Sequence, residues 1–276
     1  MEERHSDKRK RIYTAAAGIL LALALVCAGF AWKAHREQSS AGEVYEEIRD
    51  QAKSGTGQES SAQDPVPTEP DNAAESSAEE PSVQIPVDFA ALQSEYPDIY
   101  AWITVPGTNI DYPVVRREGD NAYYLSHNAA GEESPEGAIF TEDYNTKTFE
   151  DPNTVLYGHN MKNGSMFQNL HSYSDRQFFD EHRDAVVYLP DKILHYRIFA
   201  AYLYDSRHLL ESFDFSDPAV MENYLNSIQS LRDMNANIDT QIELDGSDKV
   251  ITLSTCYQGR DDKRFLVQAV LESIEQ

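Results

Sequence analysis

Residues 87–276 read as a mainly β domain. The expected form is a closed or nearly closed antiparallel-rich barrel, with an N-terminal helix and a second helix inserted before the last two strands. Three observations predict it. Eight or so short apolar runs follow one another with turn residues between them and no alternating long helices. Only one segment inside the run of strands has sustained helical spacing. The stretch contains no linker, repeat or low-complexity run, and at about 190 residues it can bury roughly 70% of its surface as one domain.

Asp88 is placed to cap a helix over Phe89–Tyr96, and Pro97 stops it. Trp102–Val105 is the first strand, closed by the turn signal Pro106-Gly107. Ile110–Val115 is the second, with Pro113 suiting an edge or a bulge. Gly137–Phe140, Asn153–Tyr157, Ala185–Leu189 and His195–Tyr202 follow, and Lys249–Thr255 and Phe265–Leu271 make the last pair. Before that pair, Ser216 as N-cap, Pro218 in the first turn and apolar Val220, Tyr224, Ile228 and Leu231 predict a helix over about 217–233.

The first 86 residues are different. Residues 1–12 carry Arg4, Lys8, Arg9, Lys10 and Arg11, a basic tail. Residues 13–32 hold no charge and match the length of a bilayer-spanning helix. The excess of positive charge before this segment predicts a single-pass anchor in the cell membrane, with a cytoplasmic N-terminus and the rest of the chain extracellular. The rival reading, a cleaved signal peptide, expects a shorter apolar core. Cys27 reads as an apolar residue of this segment rather than a lipidation site, because Val26 stands where a small residue is wanted. Residues 33–86 are acidic and rich in Ser, Ala, Pro and Gly, with Tyr45 as the one aromatic, which predicts a disordered linker. A short helix within 42–53 is compatible with that reading.

Composition narrows the function. A net charge of −24 argues against nucleic acid as partner, since phosphate contact needs a basic surface. Two cysteines cannot build a disulfide scaffold. No HExxH, paired CxxC, EF-hand loop, GxGxxG or Walker loop is present, so neither a metal nor a nucleotide cofactor is expected.

Cys256 is the one cysteine of the domain and ends an apolar strand, where a scaffold can hold a nucleophile rigidly. A thiol attacks as thiolate and needs a proton partner and a cationic setting. Six histidines lie in the domain: His127, His159, His171, His182, His195 and His208. Among them His159 follows a strand and a glycine, a way to present an imidazole at a rim. Arg260, Lys263 and Arg264 follow the cysteine. An antiparallel return would bring Arg264 back beside Cys256, while Arg260 falls in the turn. A guanidinium fork suits a carbonyl oxygen or a developing oxyanion.

These segments resemble a known family. Thr252-Leu253-Ser254-Thr255-Cys256 is similar to the TLxTC signature of sortases, the cysteine transpeptidases of Gram-positive bacteria, and Asn153–Met161 is similar to their strand-plus-histidine segment. The order His, Cys, Arg agrees. Class B resembles the chain best, through Ile110–Val115, Asp120–Leu125, Gly164–Phe167 and the helix before the last two strands. The resemblance implies an eight-stranded sortase barrel in an extracellular catalytic domain, with Cys256 as nucleophile, His159 as general acid and Arg264 holding the substrate carbonyl or oxyanion. Ser254 and Thr255 would line the peptide groove. The partners would be secreted proteins with a C-terminal sorting signal cleaved after Thr, and an amine of peptidoglycan as acceptor, with no cofactor. Competing readings are a class B pilin polymerase, a cysteine peptidase of the cell surface and a non-catalytic adhesin. The peptidases usually place Cys before His, and an adhesin leaves the lone cysteine unexplained.

Overall fold

A computed structural model of the chain describes residues 24, 26–29, 42–53 and 83–276, without the side chain of Asp261. The chain divides into two compact units, Met1–Glu46 and Glu47–Gln276. In the first unit the described residues 24, 26–29 and 42–46 are helical.

The basic tail 1–12 and most of the expected anchor 13–32 lie outside the described residues. The membrane localisation needs correction. A crossing takes about 20 apolar residues in one helix, and among the described residues no helix is long and apolar enough to cross a membrane. Most of the expected linker 33–86 is also outside them. Within it, however, 42–53 forms a helix, α1. Ile48 and Ala52, one turn apart, are buried. Arg49 Nη2 donates to the Asp111 carbonyl at 3.1 Å, and the Ala52 carbonyl accepts from the Asp88 N–H at 2.9 Å. A composition averaged over the whole linker hides this short apolar stripe.

The second unit is built on β1 (Ile99–Thr104), β2 (Asp111–Val115), β3 (Ile139–Phe140), β4 (Asn153–Tyr157), β5 (Asp184–Tyr188), β6 (Ile193–Asp205), β7 (Asn237–Ile238), β8 (Val250–Tyr257) and β9 (Arg260–Glu275). The strand order is β5-β1-β2-β3-β4-β8-β9-β6, and β5 pairs with β6 to close an eight-stranded barrel. Strand β7 adds to β6 outside the ring. Pairs β2–β3 and β4–β8 are parallel; the other pairs are antiparallel. All eight expected strands are present.

Helix α2 (Phe89–Glu95) starts where expected, with Asp88 Oδ1 accepting from the Ala91 N–H at 2.9 Å. Four further short helical pieces, the 3-10 helices Tyr123–Leu125 and Gln168–Ser174, α3 (Arg176–Glu181) and α4 (Leu209–Ser212), have no sustained period in the sequence. The inserted helix is α5 (Pro218–Gln229). Its cap is Asp217 rather than Ser216, with Pro218 in the first turn. Its buried face is Met221, Tyr224, Leu225 and Ile228, which pack on Phe199, Tyr202, Val250, Leu266 and Val270 of the barrel's outer surface.

That packing explains β8. A strand's side chains alternate between faces, yet Val250 to Thr255 are all buried. One set faces the barrel interior; the other lies under α5. The covered face carries a polar network as well. Gln268 Nε2 donates to Thr252 Oγ1 at 2.7 Å and to the Tyr224 hydroxyl at 2.8 Å, and Thr252 Oγ1 donates to Asn153 Oδ1 at 2.8 Å. Burial on this face ends at Cys256, which is exposed.

Asp217→Ala removes the α5 cap and should lower unfolding free energy by about 1 kcal/mol; an unchanged urea midpoint would mean the cap adds nothing. Gly107 and Gly119 both have positive φ, 84° and 76°. A Cβ at Gly107 would overlap the His182 ring, while one at Gly119 meets open space. Both alanine variants should lose about 1 kcal/mol or more from backbone strain, and Gly107→Ala clearly more. Equal losses would show that His182 yields.

Candidate active site

Strand β4 and the loop after it set one wall of the site. The parallel ladder pairs Tyr157 with Ser254, and the Gly158 N–H donates to the Ser254 carbonyl at 3.1 Å. A side chain at Gly158 would run into Ile139 and Phe167, so a glycine is required before the chain turns. His159 follows, half-buried. Its Nε2 lies 2.7 Å from the Leu125 carbonyl. A carbonyl only accepts, so in this arrangement Nε2 carries the proton and Nδ1 is the other, available ring nitrogen. The backbone passes close to this ring at Gly137, where an added Cβ would stand 3.0 Å from His159 Cδ2.

Strands β8 and β9 set the floor. Their antiparallel register places Cys256 directly across from Arg264, with a bulge just beyond, between Cys256 and Tyr257. Directly opposed residues on one face are side-chain neighbours. Arg264 Nη1 donates to the Lys263 carbonyl at 3.0 Å. Arg260 sits past the bulge, exposed and paired with Asp262 at 3.2 Å.

One groove collects these groups. Leu125, Tyr157, His159, Cys256, Arg264 and Leu266 line it, as do Glu142, Arg207 and His208, so a thiol, an imidazole and a guanidinium share one cleft with further charged and polar groups. Ser254 and Thr255 border it too, with a difference. Ser254 shares the strand face of Cys256. Thr255 has the opposite parity and is 2% exposed, and its hydroxyl is buried without a hydrogen-bond partner. Thr255 therefore meets the groove through its backbone.

The far wall comes from the segment between β6 and α5. His208 Nε2 lies 2.7 Å from Glu142 Oε2, and the Tyr144 hydroxyl donates to Glu211 Oε1 at 2.7 Å. These contacts tie that segment to the loop after β3. Burial, and then the charge of Glu142, push the Tyr157 phenol well above its ordinary value, so it stays protonated.

Two contacts were not evident from the sequence. Asn160 Nδ2 donates to the Cys256 carbonyl at 3.0 Å, and His171 Nε2 stands 3.2 Å from the same oxygen. The ring of His171 lies against Phe265 and Tyr257, with centroids 5.0 Å and 5.6 Å away. An Asn directly after a rim histidine was the only available signal.

A family model described as Sortase domain matches residues 103–272. The chain belongs to the sortase family and is a cysteine transpeptidase that anchors or processes surface proteins. Its class within that family is B. Sortase B of Listeria monocytogenes is 35% identical over 182 residues, covering 65% of this chain and 72% of that one. The crystal structure of Clostridium perfringens sortase B is 32% identical with a TM-score of 0.61, covering 67% of this chain and all of that one. A Bacillus anthracis sortase B in complex with AAEK1 is 28% identical with a TM-score of 0.66, covering 86% and 98%.

Burial holds the His171 imidazole below its ordinary value of 6.5, against the bond to Cys256, which raises it. Below that ordinary value the unfolded chain takes up this proton before the folded one does, so stability rises with pH there. The contribution is complete above about pH 6.5 and is lost as pH falls toward the folded value. His171→Phe should flatten the slope of unfolding free energy against pH just below 6.5. An unchanged slope would assign it to other groups.

Proposed function

We propose that Cys256 is the nucleophile, His159 the general acid and Arg264 the cation that steadies the developing oxyanion. The observation that carries this is the cross-strand pairing of Cys256 with Arg264 in a groove that also contains His159. The Cys256 sulfur, as thiolate, attacks the Thr carbonyl carbon of a sorting signal. The carbonyl π pair moves to oxygen, where a guanidinium gains most from the charge that appears. Collapse breaks the C–N bond, and an imidazolium at His159 gives its proton to the departing amine. With Nε2 held at Leu125, Nδ1 is the nitrogen suited to that transfer. A thioester is left on Cys256. An acceptor amine attacks it, forms the new amide and returns the proton to the site as the thiolate leaves.

The acceptor is an amine of peptidoglycan in this reading. Water in its place gives hydrolysis, the thiol-protease outcome. Ser254 lines the peptide groove through its side chain and Thr255 through its backbone.

The test is a panel of sorting peptides incubated with residues 42–276, with and without peptidoglycan-type and lysine-type amines. Cleavage after Thr and an amine-linked product are expected. Cys256→Ala should abolish both. His159→Ala should cut kcat/KM by about 10²–10⁴-fold and Arg264→Ala by about 10²–10³-fold, and Arg264→Lys should restore only part, for lack of the planar fork. Full activity in Cys256→Ala would overturn the assignment.

A further inference from the structure

The ladder between β4 and β8 ends before it reaches the nucleophile. Its last main-chain bond runs from the Gly158 N–H to the Ser254 carbonyl. In a parallel ladder acceptors recur every second residue, so the next one on β8 is the Cys256 carbonyl. The expected donor is the N–H of residue 160. The backbone has already turned away there, because Asn160 bridges to Met166 in an antiparallel contact. The Asn160 side-chain amide takes over the vacated position, at 3.0 Å from the Cys256 oxygen.

His171 supplies a second donor to that oxygen from the 3-10 helix Gln168–Ser174, at 3.2 Å. Since a carbonyl only accepts, the proton of this ring is on Nε2. The Cys256 peptide therefore has side-chain support from two separate elements at the point where the β8–β9 register shifts. A bulge disrupts its ladder locally, and a nucleophile set there needs support from elsewhere. Asn160 is also the chain neighbour of His159, so one bond links the carrier of the imidazole to the carrier of the thiol.

We infer that Asn160 and His171 are positioning residues: they clamp the Cys256 carbonyl and so fix the sulfur relative to His159 and Arg264. The inference rests on the catalytic roles proposed above. It adds that the distance between thiol and imidazole is set by a side chain that stands in for the missing main-chain bond.

The test compares Asn160→Ala, His171→Phe and His171→Gln with the parent and with Cys256→Ala. The Phe variant keeps a ring against Phe265 and Tyr257 but has no donor; the Gln variant keeps an amide N–H at similar reach. Measured quantities are kcat and KM for transpeptidation, the alkylation rate of Cys256 against pH, and Tm. Asn160→Ala and His171→Phe should lower kcat about 10- to 100-fold, as for a reacting group displaced by an ångström, with KM within about twofold. The alkylation profile should shift in both. His171→Gln should recover most of kcat. Values of kcat near the parent's in Asn160→Ala and His171→Phe, with Cys256→Ala inactive, would overturn the clamp and leave the catalytic assignment standing. Activity in Cys256→Ala would remove that assignment instead. If His171→Phe unfolds, the Gln variant decides: well folded but as inactive as Asn160→Ala, it overturns the role of the His171 donor.

Discussion

Everything at the site depends on the register of β8 against β9. Side chains along a strand alternate with a period of two, so a slip of one residue exchanges the faces. In the observed register Cys256 and Arg264 share the outer face, while Thr255 and Phe265 point inward. A one-residue slip would remove Arg264 from its place opposite the thiol. The register is held from both sides. Ile251, Leu253 and Phe265 are buried in the barrel, and Val250, Leu266 and Val270 are buried under α5. The hydrogen bonds from Gln268 to Thr252 and Tyr224 add a directional constraint that apolar packing lacks.

The same double burial explains why the thiol is where it is. A strand covered on both faces offers no chemistry along most of its length. Reactive groups appear where the cover stops, and α5 leaves the end of β8 open. The segment between β6 and α5 then forms a wall rather than a lid, pinned by the His208–Glu142 and Tyr144–Glu211 contacts. Scaffold and groove are thus made by the same insertion: one part buries the outer face, another borders the cleft beside it.

Much of this was legible in the sequence. The eight barrel strands are apolar runs with clear turn signals, and Asp88 and Pro218 mark their helices correctly. Cys256, His159 and Arg264 were found from residue type and from the geometry of an antiparallel return, and they line one groove. What escaped notice had a physical reason. Strand β7 has two residues and α4 one turn, too short for any period to register. A helix within 42–53 is compatible with the sequence, but the burial of Ile48 and Ala52 is masked there by acidic surroundings. The cap moved from Ser216 to Asp217 because both residue types serve equally well and only backbone geometry chooses between them. Leu125, Asn160 and His171 meet main-chain oxygens or act through their own, and a carbonyl leaves no trace in the pattern of side chains. Thr255 borders the groove as Ser254 does, but strand parity turns its hydroxyl inward.

The parallel pairing of β4 with β8 also bears on how the chain acquires its activity. Thr252 and Asn153, bonded in the finished barrel, are 99 positions apart in the chain. The hairpin of β8 and β9 closes across a turn of a few residues, whereas β4 must be captured across a long loop, a slower and entropically costlier event. A hairpin of β8 and β9 by itself carries the thiol and the guanidinium but not the imidazole, so the full set of site groups exists only once strands about a hundred positions apart have paired.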